Sequence, residues 1–240
     1  MKIKVLPALL LSVLLLAPPS VMALPTIDGI FHSWEYSGVF EDDGVGANGY
    51  VGPGWGGQDF DVEFLGLSYN ADTVYFGLQT GFDLKDGVTY GSTTYFAGDF
   101  FFDTDQDDLF DDVGVDFAID SAGGVTFDIY QSPASESCTS FTSSNPYQVD
   151  LKKSAATYTN VGTGVFLQHG DSYVLEGSFD LSLMGLSSVP SDMGIHWTMS
   201  CGNDVGSIYT APVPEPATLL LFGVGLIGFA GLGRKRLFKQ

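Results

Sequence analysis

The stretch VGVDFAIDSAGGVTFDIY, residues 113–130, decides the fold class of this protein. Apolar side chains occupy every second position on both sides of an Ala-Gly-Gly turn: Val113, Val115, Phe117 and Ile119 before it, and Val125, Phe127 and Ile129 after it. A period of two is typical of half-buried β-strands, and two such runs joined by a short glycine turn predict an antiparallel hairpin.

Similar patterns continue outward in both directions. Further predicted strands are 36–40, 62–69, 73–81, 90–96, 98–103, 164–168, 173–181 and 194–201. No segment between residues 24 and 212 has helical periodicity over three turns. We therefore predict an all-β fold, an antiparallel β-sandwich or jelly roll of about nine to eleven strands occupying residues 24–212 as one domain.

Residues 1–23 have the layout of a secretory signal peptide. Lys2 and Lys4 precede an apolar run at 5–17, and small or compact residues lead to a predicted cleavage after Ala23. The alternative is an N-terminal membrane anchor, but the apolar run is shorter than the roughly 20 residues that span a bilayer. We expect a signal helix that is removed on export.

The C-terminal end has a second targeting layout, residues 213–240. The motif Pro214-Glu215-Pro216 precedes an uncharged segment, 217–233, and the basic cluster Arg234, Lys235 and Arg236 follows. A helix of this length covers about 25 Å, so we predict a single transmembrane helix with its basic end in the cytoplasm. The glycines of this segment match the consensus of a dinucleotide-binding motif, but no strand-turn-helix unit surrounds them. We therefore predict no bound nucleotide.

This C-terminal arrangement closely resembles the PEP-CTERM sorting signal of Gram-negative bacteria. The resemblance implies that an exosortase in the inner membrane cuts near the Pro-Glu-Pro motif and passes the protein to the cell surface or extracellular matrix. Proteins with this signal accompany exopolysaccharide production, so the implied partners are the exosortase, the membrane before processing, and an exopolysaccharide or cell-surface glycan.

The charge is unevenly distributed along the chain. The formal net charge is -20, with 29 acidic and 9 basic residues, but only Lys85, Lys152 and Lys153 lie within residues 24–212. That segment holds 28 of the acidic residues, so its own formal charge is -25. Such a domain repels phosphate, which excludes nucleic acid as a partner.

Cys138 and Cys201 are the only cysteines of the chain. Because export delivers them to an oxidising compartment, one disulfide between them is expected. Two separate thiols are the alternative.

Residues 103–112, DTDQDDLFDD, carry six carboxylates, and we call this segment the acidic turn. Oxygen ligands at this density suit Ca²⁺, and the proposed ligands are Asp103, Asp105, Asp107, Asp111 and Asp112. The segment does not match the EF-hand consensus, because glycine is missing at the sixth position of the loop and glutamate at the twelfth. The alternative is a solvated acidic turn that keeps a sheet edge from pairing with other chains.

A glycine-rich loop, residues 48–58, presents Tyr50 and Trp55. Large rings are hard to bury there, and exposed rings beside polar groups can mark a ligand surface, so stacking against sugar is the functional hypothesis for this loop. The alternative is a loop that covers one end of the sandwich. Trp34 and Trp197 lie in strand-like contexts, and we expect both in the core.

No catalytic constellation is recognisable. His196 alternates with apolar neighbours and is predicted to face solvent or a groove, whereas His32 and His169 have no partners at zinc-ligand spacing. No serine lies in a nucleophile elbow. A carboxylate pair of the glycosidase type is not excluded among 28 acids.

Two further resemblances are carried by four segments of the chain. Residues 27–35, 69–78 and 98–103, in this order, resemble the family-nine carbohydrate-binding and DOMON-like sandwich group over about 24–130. Members of that group bind sugar chain ends or haem, but only the architecture is carried over, and no haem is predicted. Residues 197–204, WTMSCGND, resemble a stretch near the end of many exosortase-dependent surface proteins.

These observations predict a non-catalytic surface or matrix protein associated with exopolysaccharide and biofilm. A dedicated carbohydrate-binding module is the first alternative, and an exported glycoside hydrolase is the second.

Overall fold

The computed structural model describes residues 24–42 and 51–213. The predicted signal peptide, Tyr50, the Pro-Glu-Pro motif, the predicted transmembrane helix and the basic cluster therefore lie outside the described residues. Besides strands, the described part of the chain contains four short 3-10 turns, at Ser33–Glu35, Gln58–Phe60, Thr142–Ser144 and Leu181–Met184.

The predicted all-β architecture is confirmed. The strands are β1 (Gly38–Glu41), β2 (Val62–Tyr69), β3 (Thr73–Thr80), β4 (Val88–Tyr90), β5 (Thr93–Tyr95), β6 (Phe100–Asp103), β7 (Val113–Ile119), β8 (Gly124–Gln131), β9 (Ser135–Glu136), β10 (Gln148–Val149), β11 (Tyr158–His169), β12 (Ser172–Asp180), β13 (Met193–Thr198) and β14 (Val205–Thr210).

Ten of these strands form one antiparallel sheet in the order β1-β2-β3-β12-β11-β8-β7-β6-β13-β14. The sheet wraps until its two ends meet: Thr210 of β14 donates a hydrogen bond to Ser37 just before β1, with 3.0 Å between the hydroxyl oxygens. Gly206 of β14 also packs against Val62 and Leu65 of β2. The result is a sandwich that is nearly closed into a barrel, which leaves little free sheet edge.

The hairpin expected at residues 113–130 forms as β7 and β8. Its register pairs Val113 with Gln131 and Ile119 with Val125. Phe127 and Ile129 are fully buried, as the period of two requires.

Aromatic rings fill the centre of the sandwich. Phe76 lies with its ring centroid 4.8 Å from that of Phe100, 5.2 Å from that of Phe127 and 5.8 Å from that of Phe179. Inclined ring pairs at these distances add to the free energy of burial. Trp197 is fully buried and its indole nitrogen donates to the carbonyl of Gly98, at 2.9 Å.

Two side-chain predictions are wrong. Trp34 is 72% exposed, because the segment 24–36 runs outside the sheet and its ring stacks on His32 at the surface. His196 is buried, because the segment around Ser144–Pro146 covers it. Its two ring nitrogens form hydrogen bonds with the hydroxyl of Ser207 and the carbonyl of Pro146. Burial lowers the pKa of His196 to about 4.

The strand predictions differ from the structure in the hairpin β4-β5 and in three strands that were not predicted, β9, β10 and β14. Residues 90–96, predicted as one strand, form the separate hairpin β4-β5, because Gly91 turns the chain with a positive φ of 65°. Strand β14 was not predicted. Its half-buried position at the end of the sheet gives it only weak alternation.

Candidate ligand-binding cleft and acidic turn

A cleft of about 760 Å³ opens at one end of the sandwich. We call it the aromatic cleft, and its lining residues are Trp55, Gly56, Gly57, Gln58, Asp59, Phe60, Tyr90, Tyr95, Ser140, Phe141 and Asn203. Its volume lies in the range of small-molecule sites. Four separate segments of the chain therefore build one concave surface.

The most exposed rings of the cleft are Trp55 and Tyr90, at 73% and 75% exposure. Tyr95 is half-buried and packs edge-on against Phe60, with 5.8 Å between ring centroids. Tyr90 on β4 pairs with Thr93 on β5, and because side chains alternate along a strand, Tyr90 and Tyr95 lie on the same face of the hairpin.

The loop carrying Trp55 is held by backbone contacts. The amide of Val51 donates to the carbonyl of Gly56 at 3.0 Å, and the amide of Gly54 donates to the carbonyl of Asn203 at 2.6 Å. A Cβ at Gly54 would lie 2.4 Å from the Cα of Asn203, so this approach requires glycine.

The stretch 197–204 supports the other side of the cleft. Asp204 is buried, and its carboxylate accepts hydrogen bonds from the amides of Val62 and Val205, at 2.7 and 2.8 Å. Burial outweighs these two bonds and raises the pKa of Asp204 to about 7. Asp204 thus ties the loop that presents Asn203 to strand β2.

The cysteines lie behind the same wall of the cleft. Both are buried, and both are free thiols in this structure, so the predicted disulfide is not formed in it. The pKa of Cys138 is raised to about 11, mainly because the thiol is buried and to a smaller extent because Cys201 lies nearby. The two thiols are thus near neighbours, and their loops present Phe141 and Asn203 to the cleft.

The acidic turn brings together three of the five predicted calcium ligands. Carboxylate oxygens of Asp103, Asp105 and Asp112 lie within 4.8 Å of one another, whereas Asp107 and Asp111 are outside this group. Coulombic repulsion from Asp112 is the main cause that raises the pKa of Asp105. The group offers the oxygens that a hard cation such as Ca²⁺ prefers.

The same carboxylates also organise the turn without a cation. Asp103 accepts from the amides of Gln106 and Asp108, at 2.7 and 3.0 Å, and from the hydroxyl of Tyr209. Asp112 accepts from the amide and hydroxyl of Thr104, at 2.7 and 2.8 Å. The geometry is therefore compatible with both a calcium site and the alternative of a solvated acidic turn.

Sequence reasoning found Trp55 and missed the other side chains of the cleft. Tyr90, Tyr95, Phe141 and Asn203 come from segments far apart along the chain. Two signals were available: the tyrosines on either side of Gly91, in a stretch that alternation favours as a strand, and the stretch 197–204, which contains Asn203.

Comparison with known proteins identifies the C-terminal targeting signal. Residues 212–236 match the PEP-CTERM protein-sorting motif. No curated protein and no solved structure matches the chain. The resemblance of residues 24–130 to the family-nine and DOMON-like group thus stays a prediction.

The matched motif defines the class of protein. It marks an exported, surface-directed protein whose sorting signal is processed by an exosortase at the membrane. Among residues 24–42 and 51–213 there is no helix of sufficient length and apolarity to cross a bilayer.

Proposed function

We propose that this protein is a non-catalytic surface or extracellular-matrix protein of a Gram-negative bacterium that binds exopolysaccharide through the aromatic cleft. The observation that carries the proposal is the pairing of two largely exposed rings, Trp55 and Tyr90, with polar side chains in one cleft. The sorting motif supports a location at the cell surface, and we expect such a ligand there.

The chemistry of the cleft suits a sugar ring. The faces of Trp55 and Tyr90 offer apolar area for the C–H face of a pyranose, because aromatic side chains combine large contact area with low conformational entropy cost. Gln58, Asp59 and Asn203 add carboxylate and amide groups within reach of the same cleft. Sugar hydroxyls require such partners when they leave water.

Within the aromatic cleft itself, the carboxylate content favours binding over hydrolysis. Asp59 is the only carboxylate among the residues described as lining the aromatic cleft. Glycoside hydrolysis with acid and nucleophile or base uses two carboxyl groups about 5 to 10 Å apart across the scissile bond. The absence of catalysis stays a prediction, and incubation of the purified protein with the producer's polysaccharide, followed by detection of new reducing ends, tests it.

The binding proposal is tested by substituting Trp55. Full-length protein in mild detergent is run through gels that contain the producer's own exopolysaccharide. We expect strong retardation of the wild type and about tenfold weaker retention of Trp55→Ala, because one stacked aromatic residue contributes more than 1 kcal/mol at a binding hot spot.

The chain offers a matched control for this experiment. Trp34 is 72% exposed, close to the 73% of Trp55, and it is not among the cleft residues. Trp34→Ala should migrate like the wild type. Equal retention of Trp55→Ala and the wild type would remove the aromatic cleft from the proposal.

A further inference from the structure

A second hollow of about 610 Å³ adjoins the aromatic cleft. We call it the polar hollow. Gln58 and Asp59 line both cavities, so the two meet at this pair of residues. On β4, Val88 and Thr89 line the polar hollow and the next residue, Tyr90, lines the aromatic cleft, so this strand runs from one cavity to the other.

The polar hollow has a different lining from the aromatic cleft. Its side chains include Asp83, Gln168, Asp171 and Tyr173, in addition to the shared Asp59. Gln168 lies near the end of β11, and Asp171 lies in the turn between β11 and β12 and is exposed. Hydrogen-bonding groups therefore continue from the stacking surface along the outside of the sandwich.

The hollow carries a negative field. The carboxylate of Asp83 accepts from the amides of Lys85 and Asp86, at 2.9 and 3.0 Å, and from the hydroxyl of Tyr173, at 3.3 Å. Burial, and then Asp83, raises the pKa of the Tyr173 phenol. Among the residues described as lining either cavity there is no lysine or arginine. The charged side chains that line the two cavities are thus all aspartates and all negative.

We propose that the aromatic cleft and the polar hollow form one groove for an extended glycan, with amine-bearing sugar units beside Asp59, Asp83 and Asp171. A groove of two adjoining cavities takes several consecutive sugar units, because each cavity alone already has the volume of a small-molecule site. One-signed carboxylates attract ammonium groups and repel uronate or sulfate groups. This inference rests on the proposed function and names its ligand class.

Defined oligosaccharides test the inference in two dimensions, length and charge. Binding of the full-length detergent-solubilised protein is measured by calorimetry with β-1,4-linked dimers, tetramers and hexamers of glucosamine, glucose and mannuronic acid at low salt. We expect affinity to rise with the length of the oligosaccharide. The glucosamine hexamer should bind roughly threefold to fivefold tighter than the glucose hexamer, because one exposed ion pair contributes a free energy of that size. The mannuronic acid hexamer should bind weakest.

Charge substitutions assign the effect to the groove. Asp171→Asn should reduce the preference for glucosamine over glucose hexamers and leave binding of the dimers unchanged. Asp107→Asn is the matched control, since it removes one exposed carboxylate from the acidic turn instead. It should leave the preference intact.

Three results would overturn the inference: equal affinity for dimer and hexamer, a preference for mannuronic acid, or no binding of any hexamer. Suppose that one of these results is obtained while the producer's polysaccharide still retards the wild type more than Trp55→Ala. The proposed function then stands, and only the ligand class is wrong. If that retardation is also absent, both proposals fail.

Discussion

At the scale of single residues, the carboxylate of Asp103 illustrates how acidity is accommodated in this chain. It is fully buried, yet the amides of Gln106 and Asp108 and the hydroxyl of Tyr209 surround it with donors. Left-handed backbone at Gln106 and Asp108, with φ values of 67° and 64°, brings those amides inward. Calcium binding by Asp103, Asp105 and Asp112 stays a prediction.

Calcium is expected to stabilise the acidic turn. At millimolar Ca²⁺ we expect the melting temperature of the protein to rise, because a cation relieves the repulsion among Asp103, Asp105 and Asp112. Asp105→Asn should largely abolish this rise, and the control Asp107→Asn, outside the three-carboxylate group, should retain it. A melting temperature that is insensitive to calcium in the wild type, measured by calorimetry, would favour the solvated acidic turn.

At the scale of elements, the loops that carry the cysteines pair with one another. The amide of Thr139 donates to the carbonyl of Ser200 at 2.8 Å, and that of Phe141 donates to the carbonyl of Cys201 at 2.9 Å. A Cβ at Gly202 would lie 3.0 Å from the sulfur of Cys138. The pairing places both thiols on the wall behind the aromatic cleft.

We therefore expect the exported protein to carry a Cys138–Cys201 disulfide, formed by exchange with the disulfide of an export-compartment oxidase that leaves as a dithiol. The bond closes a loop of about 63 residues, which contributes about 4 kcal/mol in the chain-entropy model. Reduction should lower the melting temperature by on the order of 10 °C. The measurement compares melting with and without a reductant, with Cys138→Ala as the variant on which the reductant has no effect.

Thiol labelling checks the same bond directly. In protein isolated from the exporting cell and unfolded without reductant, neither cysteine should react with an alkylating agent. Complete labelling of both would show that the thiols remain separate.

At the scale of the whole molecule, charge and burial act together. Residues 24–212 carry a formal charge of -25, so protonation of carboxylates relieves self-repulsion. Several carboxyl groups are also buried with a raised pKa: burial is the first cause for Asp99, Glu176 and Asp204. Glu176 holds the N-terminal segment by accepting from the amide of Gly29 and the hydroxyl of Tyr36, both at 2.9 Å.

Stability should rise as the pH falls from 8 to 6. An acid with a raised folded-state pKa binds its proton more tightly in the folded protein, so stability is lost as the pH increases through that pKa. With a pKa of about 7, Asp204 contributes about 1.4 kcal/mol over this range. His196 opposes the gain below pH 6.5, because it must stay neutral when buried.

We expect a net increase of about 0.5 to 1 kcal/mol in the free energy of unfolding, measured by urea titration. Repeating the titration in about 0.5 M salt is the control, since salt screens the surface repulsion and leaves the buried groups unaffected. No gain at high salt would show that surface charge alone accounts for the pH dependence.

Local pattern alone predicted much of the sheet. Alternation predicted β3 and the β7-β8 hairpin, because these strands bury mainly the residues of one face. The short strands β9 and β10 and the sheet-end strand β14 were missed, since two residues or a half-buried strand carry little periodicity. Trp34 and His196 were misplaced, because the segments that expose one and cover the other are distant in sequence.

The sequence by itself determined the all-β class, the acidity of the exported domain and the sorting signal. The first and the last depend on local patterns of residues, and the acidity depends on composition alone. Only the tertiary structure decided which side chains form the cleft. Trp55, Tyr90, Phe141 and Asn203 meet because a nearly closed sheet brings three loops and the β4-β5 hairpin to one end of the sandwich. The physical reason is that alternation records which face of a strand is buried, whereas proximity between loops depends on strand order.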